Sequence, residues 1–226
     1  KASAKVGDST IVLDGQDVVV DTYRTEVEED PFAVPLDDKL AILGSCCDGM
    51  KKTEQVAIAT ASMMSFRTEK LFVNTEGSEI EQVITEAGGG ISATAIEGEE
   101  RQTRSYPASF RGDYATRGFE FTRSLDLPAH AERTGSEAAE LLKADECPHK
   151  KTTIIIGGQQ LALQVHESCG HPIELDRVFG TEASYAGTSF ITVDKLGSLQ
   201  YGSKIVNIVA DATCPGGLGS FGYDDE

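Results

Sequence analysis

The run HESCGH, from His166 to His171, decides how the most informative part of this chain folds. On a regular α-helix, two residues that are five positions apart point roughly 140° away from each other. The imidazoles of His166 and His171 could then not face one metal ion. We therefore expect the helix to widen locally into a π-bulge or to break before His171. Gly170 and Pro172 flank His171 and suit a helix that deforms or ends there.

The residue types of this run are those of a catalytic metal site. Imidazole is the commonest protein ligand of catalytic zinc, and a carboxylate beside the metal is the usual general base for a metal-activated water. The run therefore predicts His166 and His171 as metal ligands and Glu167 as the catalytic base. The motif alone leaves one alternative open, which is a pair of structural histidines at a solvated helix end.

Composition excludes several classes of function. The 226 residues carry a net charge of −17, and such an acidic chain repels phosphates, so we expect no nucleic-acid partner. No stretch approaches the apolar length of a membrane span, so we expect no membrane partner either. The five cysteines form no disulfide framework and fit reduced thiols, which predicts a cytoplasmic protein. We interpret the adjacent Cys46 and Cys47 as buried or half-buried residues on a helix.

The first half of the chain shows the patterns of a sheet with flanking helices. Thr10–Leu13 and Val18–Tyr23 are strand-like and are joined by an Asp14-Gly15 turn signal. Leu36–Lys52 has the leucine spacing and terminal charges of a helix. Period-two patterning then predicts four antiparallel strands, with turns at Glu76-Gly77-Ser78 and at the triple glycine Gly88–Gly90. These strands are Val56–Phe66, Lys70–Asn74, Glu79–Ala87 and Ile91–Glu97.

The second half alternates between helical and strand-like segments. Phe119–Asp126 is a further strand or the start of a linker, and Ser136–Lys143 is predicted to be a helix. His130 and His149 lie in loop-like contexts and are expected to be solvated. A motif helix should begin near Gln159. Further strands are predicted at Thr152–Ile156 and near Phe190–Val193 and Ile205–Ala210. The fold class is therefore α+β, with an antiparallel β-meander and flanking helices, followed by a motif helix that leads into a β-rich part.

Glycines crowd the segment Pro215–Gly222 near the end of the sequence. A phosphate-binding loop is a poor interpretation, because the lysine and the serine or threonine of that motif are missing and no helix follows. The glycines are better explained by tight turns or by the close approach of an extended peptide.

Several segments together resemble the TldD/PmbA family of bacterial and archaeal metallopeptidases, which are also described as modulators of DNA gyrase. The resemblance is most specific in QLALQVHESCGHPIELDRVFG, in SYAGTSF and in ADATCPGGLGSFGYDDE, and it extends upstream to SEAAELLKADECP, PFAVPLDDKL and GISATAIEGEERQTRSYP. The family signature is a His-Glu-three-residues-His run, which His166, Glu167 and His171 match in order. Glu174 matches an acidic position that follows in the same motif.

The resemblance implies a metal-dependent peptidase that hydrolyses small or unfolded peptides with a metal-activated water. It implies zinc, with other divalent metals as alternatives. Glu174 is then the candidate for orienting a ligating imidazole, and the alternative is that it is a plain surface carboxylate. Family members are about twice as long as this chain and longer than one typical domain. The chain therefore resembles an internal portion of such a protein. The third metal ligand, a cysteine in relatives, is then expected outside this chain segment.

The resemblance also implies an organisation and an assembly. An α+β N-terminal domain at 1–147 would precede the start of a β-rich metallopeptidase domain at 148–226. Relatives pair as homodimers or as heterodimers with a family paralogue, so we expect a dimer. A non-catalytic peptide-binding subunit of such a heterodimer is the alternative function, although the intact histidine run favours the active type of subunit.

Overall fold

The computed structural model describes residues 17–109, 112–181 and 183–224. The chain divides into two compact units. Unit 1 comprises Lys1–Leu142 together with Asp211–Glu226, and unit 2 comprises Lys143–Ala210. The predicted strand Thr10–Leu13 and the turn after it lie outside the described residues. The predicted domain boundary between 147 and 148 stays a prediction.

A five-stranded mixed sheet forms the centre of unit 1, and its long strand β3 pairs with all four other strands. β2 runs antiparallel to β3 along almost its whole length. On the other edge of β3, β1 pairs in parallel with its first residues, while β5 and β4 pair antiparallel with its middle and its end. The strands are β1 (Val20–Arg24), β2 (Val56–Val73), β3 (Glu79–Glu97), β4 (Glu100–Tyr106) and β5 (Asp113–Ala115).

Three helices complete unit 1, namely α1 (Leu36–Met50), α2 (Phe119–Ser124) and α3 (Leu127–Leu141). The prediction of α1 is confirmed. Asp37 and Asp38 lie in its first turn, where carboxylates interact favourably with the helix dipole. α1 and α3 contact each other and the sheet. They enclose a continuous apolar core: Cys46, Met50, Val56, Ile91, Ala93, Ala95, Leu125, Leu127, Ala131 and Ala138. The burial of Cys46 and the partial burial of Cys47 are as predicted.

The four predicted strands between Val56 and Glu97 are wrong in number, because they merge into β2 and β3. The turn at Glu76-Gly77-Ser78 is confirmed, and all three backbone N–H groups donate to Oδ1 of Asn74 at 2.9–3.1 Å. The turn at the triple glycine is wrong. Gly88 and Gly89 lie buried within β3, and a Cβ atom on Gly88 would come within 2.1 Å of the Asp113 carbonyl oxygen. These glycines therefore permit a close backbone approach rather than a turn.

Two further predictions in unit 1 need correction. Phe119–Asp126 is mostly helix α2 rather than a strand. α3 begins at Leu127, well before the predicted start at Ser136. The sequence signal for this start is Asp126 at the N-cap position, followed by a proline in the first turn, a combination that is common at helix N-termini. His130 consequently lies on a helix and not in a loop, and its ring stacks on Tyr106 with centroids 3.8 Å apart.

The glycine-rich segment packs on the sheet of unit 1. Gln82 forms two hydrogen bonds with the backbone of Tyr223, accepting from its N–H at 3.0 Å and donating to its carbonyl at 2.8 Å. A Cβ atom on Gly222 would come within 2.4 Å of the Tyr23 ring. Gly222 therefore permits the close approach of the Tyr23 ring, while the approach of an extended peptide stays a prediction.

Unit 2 contains short helices and irregular segments in the residues that the structure describes. Its elements are α4 (Gly158–Val165), a π-helix (His166–Gly170), α5 (His171–Ile173), α6 (Leu175–Phe179) and a 3₁₀ turn (Val193–Lys195). The strands predicted at Thr152–Ile156, Phe190–Val193 and Ile205–Ala210 are not formed. A strand needs a hydrogen-bonding partner, and no strand occurs among the described residues of unit 2. The α+β class is confirmed, with all described strands in unit 1.

No helix in the described parts of the chain combines the length and the apolar character that crossing a bilayer requires.

Candidate metal centre

The motif lies where α4 continues into the π-helix without a break. Val165, His166 and His171 all have right-handed helical backbone angles, and the His171 N–H donates to the carbonyl of His166, five residues earlier. This bond defines a π-turn. Of the two distortions that the five-residue spacing allows, the structure shows the local widening.

The π-turn brings both imidazoles to one side of the helix. The ring centroids of His166 and His171 lie 4.4 Å apart, with a tilt of 56° between the rings. One donor atom from each of His166, Glu167 and His171 lies within 4.8 Å of the other two. Among the described residues, this is the one cluster of three or more histidine, cysteine or acidic side chains with donors this close. Cys169 lies in the same turn but outside the cluster.

The carboxylate of Glu167 lies close to both imidazoles. One oxygen is 3.3 Å from Nδ1 of His166, and the other is 4.0 Å from Nε2 of His171. The side chains of His166 and Glu167 are 57% and 60% exposed, whereas that of His171 is 31% exposed. The cluster is therefore open to solvent on one side and supported by protein around His171.

Glu174 fixes the protonation pattern of the His171 ring. Nδ1 of His171 lies 2.6 Å from Oε1 of Glu174. Because a carboxylate only accepts, Nδ1 carries the proton and the neutral ring keeps its lone pair on Nε2, the atom that faces Glu167. The hydrogen bond from His171, followed by that from Arg177, lowers the pKa of the Glu174 carboxyl below its ordinary value. A carboxylate behind an imidazole is the usual support of a metal-binding histidine.

These residues fit a divalent cation. Two imidazoles and a carboxylate are donors that suit zinc and related metals. His166 and His171 would hold such an ion through ring nitrogens that lie within 4.8 Å of each other. With the proton on Nδ1, Nε2 of a neutral His171 ring would provide the lone pair that a metal requires.

Arg177 is a residue near the cluster that the sequence patterns above did not single out. Its Nε donates to Oε2 of Glu174, and its Nη1 donates to the carbonyl of Ala186 at 2.8 Å. The spacing of three residues between Glu174 and Arg177 is typical of ion pairs on helices, so this signal was present in the sequence. A cavity of about 200 Å³ lies beside the cluster and is lined by Glu167, His171, Pro172, Arg177, Thr188, Ser189 and Phe190.

Comparison with known proteins identifies relatives across the chain. Residues 29–145 match a family model described as the PmbA/TldA metallopeptidase central domain. A metalloprotease of Methanocaldococcus jannaschii is 29% identical over 228 positions, which cover 100% of this chain and 47% of that protein. A metalloprotease of Methanothermobacter thermautotrophicus is 28% identical over 92% of this chain and 42% of its own length.

A metalloprotease of Synechocystis is 26% identical over 100% of this chain and 46% of its own length. The chain thus spans about half the length of the curated relatives it matches. The family model covers just over half of the chain. The chain therefore belongs to the PmbA/TldD family of metallopeptidases.

Proposed function

We propose that the protein is a metal-dependent peptidase whose metal is held by His166 and His171, with zinc as the first candidate. The observation that carries this proposal is the clustering of His166, Glu167 and His171 donors within 4.8 Å on a π-turn. The relatives named metalloproteases support it, because their similarity extends over the segment that contains the motif.

A cation bound there would polarise the scissile carbonyl and acidify a water molecule. The residues of this chain would do the rest. Glu167, which lies close to both imidazoles, would accept the proton of the attacking water and deliver it to the leaving amine. Glu174 would hold the His171 ring with its Nε2 lone pair directed to the cluster.

Two imidazoles are fewer than the three protein ligands of known catalytic zinc sites. We therefore propose that a further ligand lies outside this chain segment. The exposure of His166 and Glu167 leaves one side of the cluster open, as a small or unfolded peptide substrate would require.

We further propose a homodimer or a heterodimer with a family paralogue. All five cysteines are unpaired thiols, which supports a reducing compartment such as the cytoplasm.

The test compares Glu167→Gln with the wild type in the full-length protein. Peptide hydrolysis should fall by about 10²–10⁴-fold, the range for loss of a general base, while the bound metal stays nearly unchanged. Glu97→Gln is the matched control, since Glu97 is an exposed carboxylate at the end of β3 in unit 1. It should leave both hydrolysis and metal content as in the wild type.

The other outcomes separate the alternatives. Full activity of Glu167→Gln would remove this carboxylate from the mechanism. A wild-type protein that binds metal and peptide but hydrolyses nothing, alone or with its paralogue, would be a non-catalytic subunit. A wild-type protein without metal would leave His166 and His171 as structural histidines.

A further inference from the structure

Arg177 connects α6 to the segment that follows it. Its Nη1 donates to the carbonyl of Ala186 at 2.8 Å, and its own carbonyl accepts from the Ser189 N–H at 2.9 Å. Its side chain is only 28% exposed, although it carries a full charge. The arginine is therefore fixed at both its backbone and its guanidinium group, and it cannot move independently of this segment.

The two oxygens of Glu174 are engaged by different partners. Oε1 accepts from Nδ1 of His171 at 2.6 Å, and Oε2 accepts from Nε of Arg177. The Glu174 side chain is 41% exposed, so water could compete for either oxygen. Because Arg177 binds one oxygen, the carboxylate is held in the rotation that presents the other oxygen to His171. Arg177 thus acts on His171 through Glu174, without touching the imidazole.

The consequence for His171 concerns which ring nitrogen carries the proton. A neutral imidazole has two tautomers, and the acceptor at one nitrogen selects between them. With Glu174 held against Nδ1, the lone pair resides on Nε2, the nitrogen that faces Glu167. If the carboxylate rotated away, the Nε2–H tautomer would also be populated, and a cation would bind Nε2 more weakly because that proton would first have to move to Nδ1.

The same arginine supports one wall of the cavity beside the cluster. The Ser189 hydroxyl donates to the carbonyl of Pro172 at 2.7 Å and accepts from the Ile191 N–H at 2.9 Å. Together with the bonds from Arg177, these contacts tie residues 186–191 to the turn that carries His171. The cavity of about 200 Å³ is lined by this wall and by Glu167 and His171.

We propose that Arg177 is a positioning residue with two roles. It selects the Nδ1–H tautomer of His171 through Glu174, and it keeps the cavity wall at Ala186 and Ser189 in place beside the cluster. The proposal builds on the proposed function, because the tautomer matters when Nε2 binds a cation. It goes beyond that function by assigning a role to a residue outside the cluster of His166, Glu167 and His171.

The test uses ¹⁵N NMR of the histidine side chains in the metal-free, full-length protein, at a pH of about 8.5, where imidazoles are neutral. In the wild type, His171 should be almost entirely the Nδ1–H tautomer. In Arg177→Gln, both tautomers should be populated. Asp176→Asn is the matched control, because it removes a charge from the neighbouring position of α6 and should leave the His171 spectrum unchanged.

Zinc affinity provides a second measurement on the same proteins. Arg177→Gln should bind zinc about 10–100-fold more weakly, the range for lost partners behind a ligating histidine. In a Glu174→Gln background, Arg177→Gln should cause little further loss, since the arginine acts through that carboxylate. Circular dichroism checks that each variant keeps its helical content.

Should Arg177→Gln lose its fold, Arg177→Lys replaces it. A lysine keeps the charge but cannot match the two-sided donation to Glu174 and Ala186, so an intermediate tautomer ratio is expected. A wild-type tautomer ratio in whichever of these variants keeps its fold would overturn the proposal. Because the NMR measurement needs neither metal nor activity, its result stays distinct from a failure of the proposed peptidase function.

Discussion

The two units of the chain are stabilised in different ways. Unit 1 contains a contiguous core that includes Met50 and Leu127, and these two residues and Phe119 have at most 1% of their surface exposed. In unit 2, no described residue is buried, and large apolar side chains such as Ile155 and Tyr185 are 100% and 92% exposed. The structure of unit 1 therefore follows from burial of apolar surface, whereas local hydrogen bonds define the motif in unit 2.

The geometry of the candidate site in unit 2 accordingly rests on local polar contacts. The π-turn is held by its own backbone bond from His171 to His166. The imidazole of His171 is held by Glu174, which Arg177 holds in turn. Such polar contacts leave the opposite side of the cluster accessible, which a packed apolar core would not. Variants in each unit test this difference.

The largest effect is expected from truncating a phenylalanine in each unit. Phe119 is 1% exposed in unit 1, whereas Phe179 is 62% exposed in unit 2. Phe119→Ala should lower the free energy of unfolding by about 3–5 kcal/mol, the usual cost of emptying a buried aromatic site. Phe179→Ala should change it by about 0.5 kcal/mol or less. Chemical denaturation of both variants checks this, and equal losses would break the contrast between the units.

A smaller effect is expected at two glycines of unit 1. Gly88→Ala should cost about 1–3 kcal/mol, typical of overpacking, because the new Cβ would meet the Asp113 carbonyl oxygen at 2.1 Å. Gly44 lies on the exposed side of α1 with nothing within 4 Å of a Cβ. Gly44→Ala should instead stabilise the protein by about 0.5–1 kcal/mol through helix propensity. Thermal unfolding should show opposite signs, and a neutral Gly88→Ala would contradict the close approach of β5.

The smallest effect concerns a surface ion pair of unit 1. Arg123 donates two hydrogen bonds to Glu29, at 2.7 and 2.9 Å, and this interaction lowers the pKa of Glu29 below its ordinary value of 4.5. A lowered pKa in the folded state adds stability above the unfolded-state pKa, and this stability disappears as the pH falls through the folded-state value.

Glu29→Gln should therefore be slightly less stable than the wild type at neutral pH. The two proteins should converge as the pH drops below 4.5 and through the lowered pKa. Denaturation measured along a pH series checks this. A difference in the free energy of unfolding that grows toward acidic pH would contradict a lowered pKa of Glu29. A large difference at neutral pH would show that the stability of unit 1 depends on more than its core.

The parts of the structure that the sequence predicts well are those with strong local causes. The spacing of His166 and His171 requires a distorted helix if both rings face one ion, and a π-turn is found there. α1 has both leucine spacing and terminal charges, and its start matches the prediction. The ion pair between Glu174 and Arg177 can be predicted from their spacing of three residues. The contact of Arg177 with Ala186 cannot be predicted in this way.

The parts that the sequence predicts poorly depend on distant partners. The triple glycine has the composition of a turn, and only the approach of β5 explains why it continues a strand. Ile154 and Ile155 have strong β-propensity, but propensity alone forms no strand without a partner. Local residues therefore predict the candidate site better than they predict the sheet.

Equilibrium zinc binding by four variants, each with one histidine replaced by alanine, tests whether His166 and His171 hold the metal. The sequence has four histidines, of which two form the cluster and two, His130 and His149, lie elsewhere. In the full-length protein, His166→Ala and His171→Ala should each abolish stoichiometric zinc binding, while His130→Ala and His149→Ala should bind zinc as the wild type does. Retention of stoichiometric zinc at unchanged affinity in both cluster variants would contradict the account.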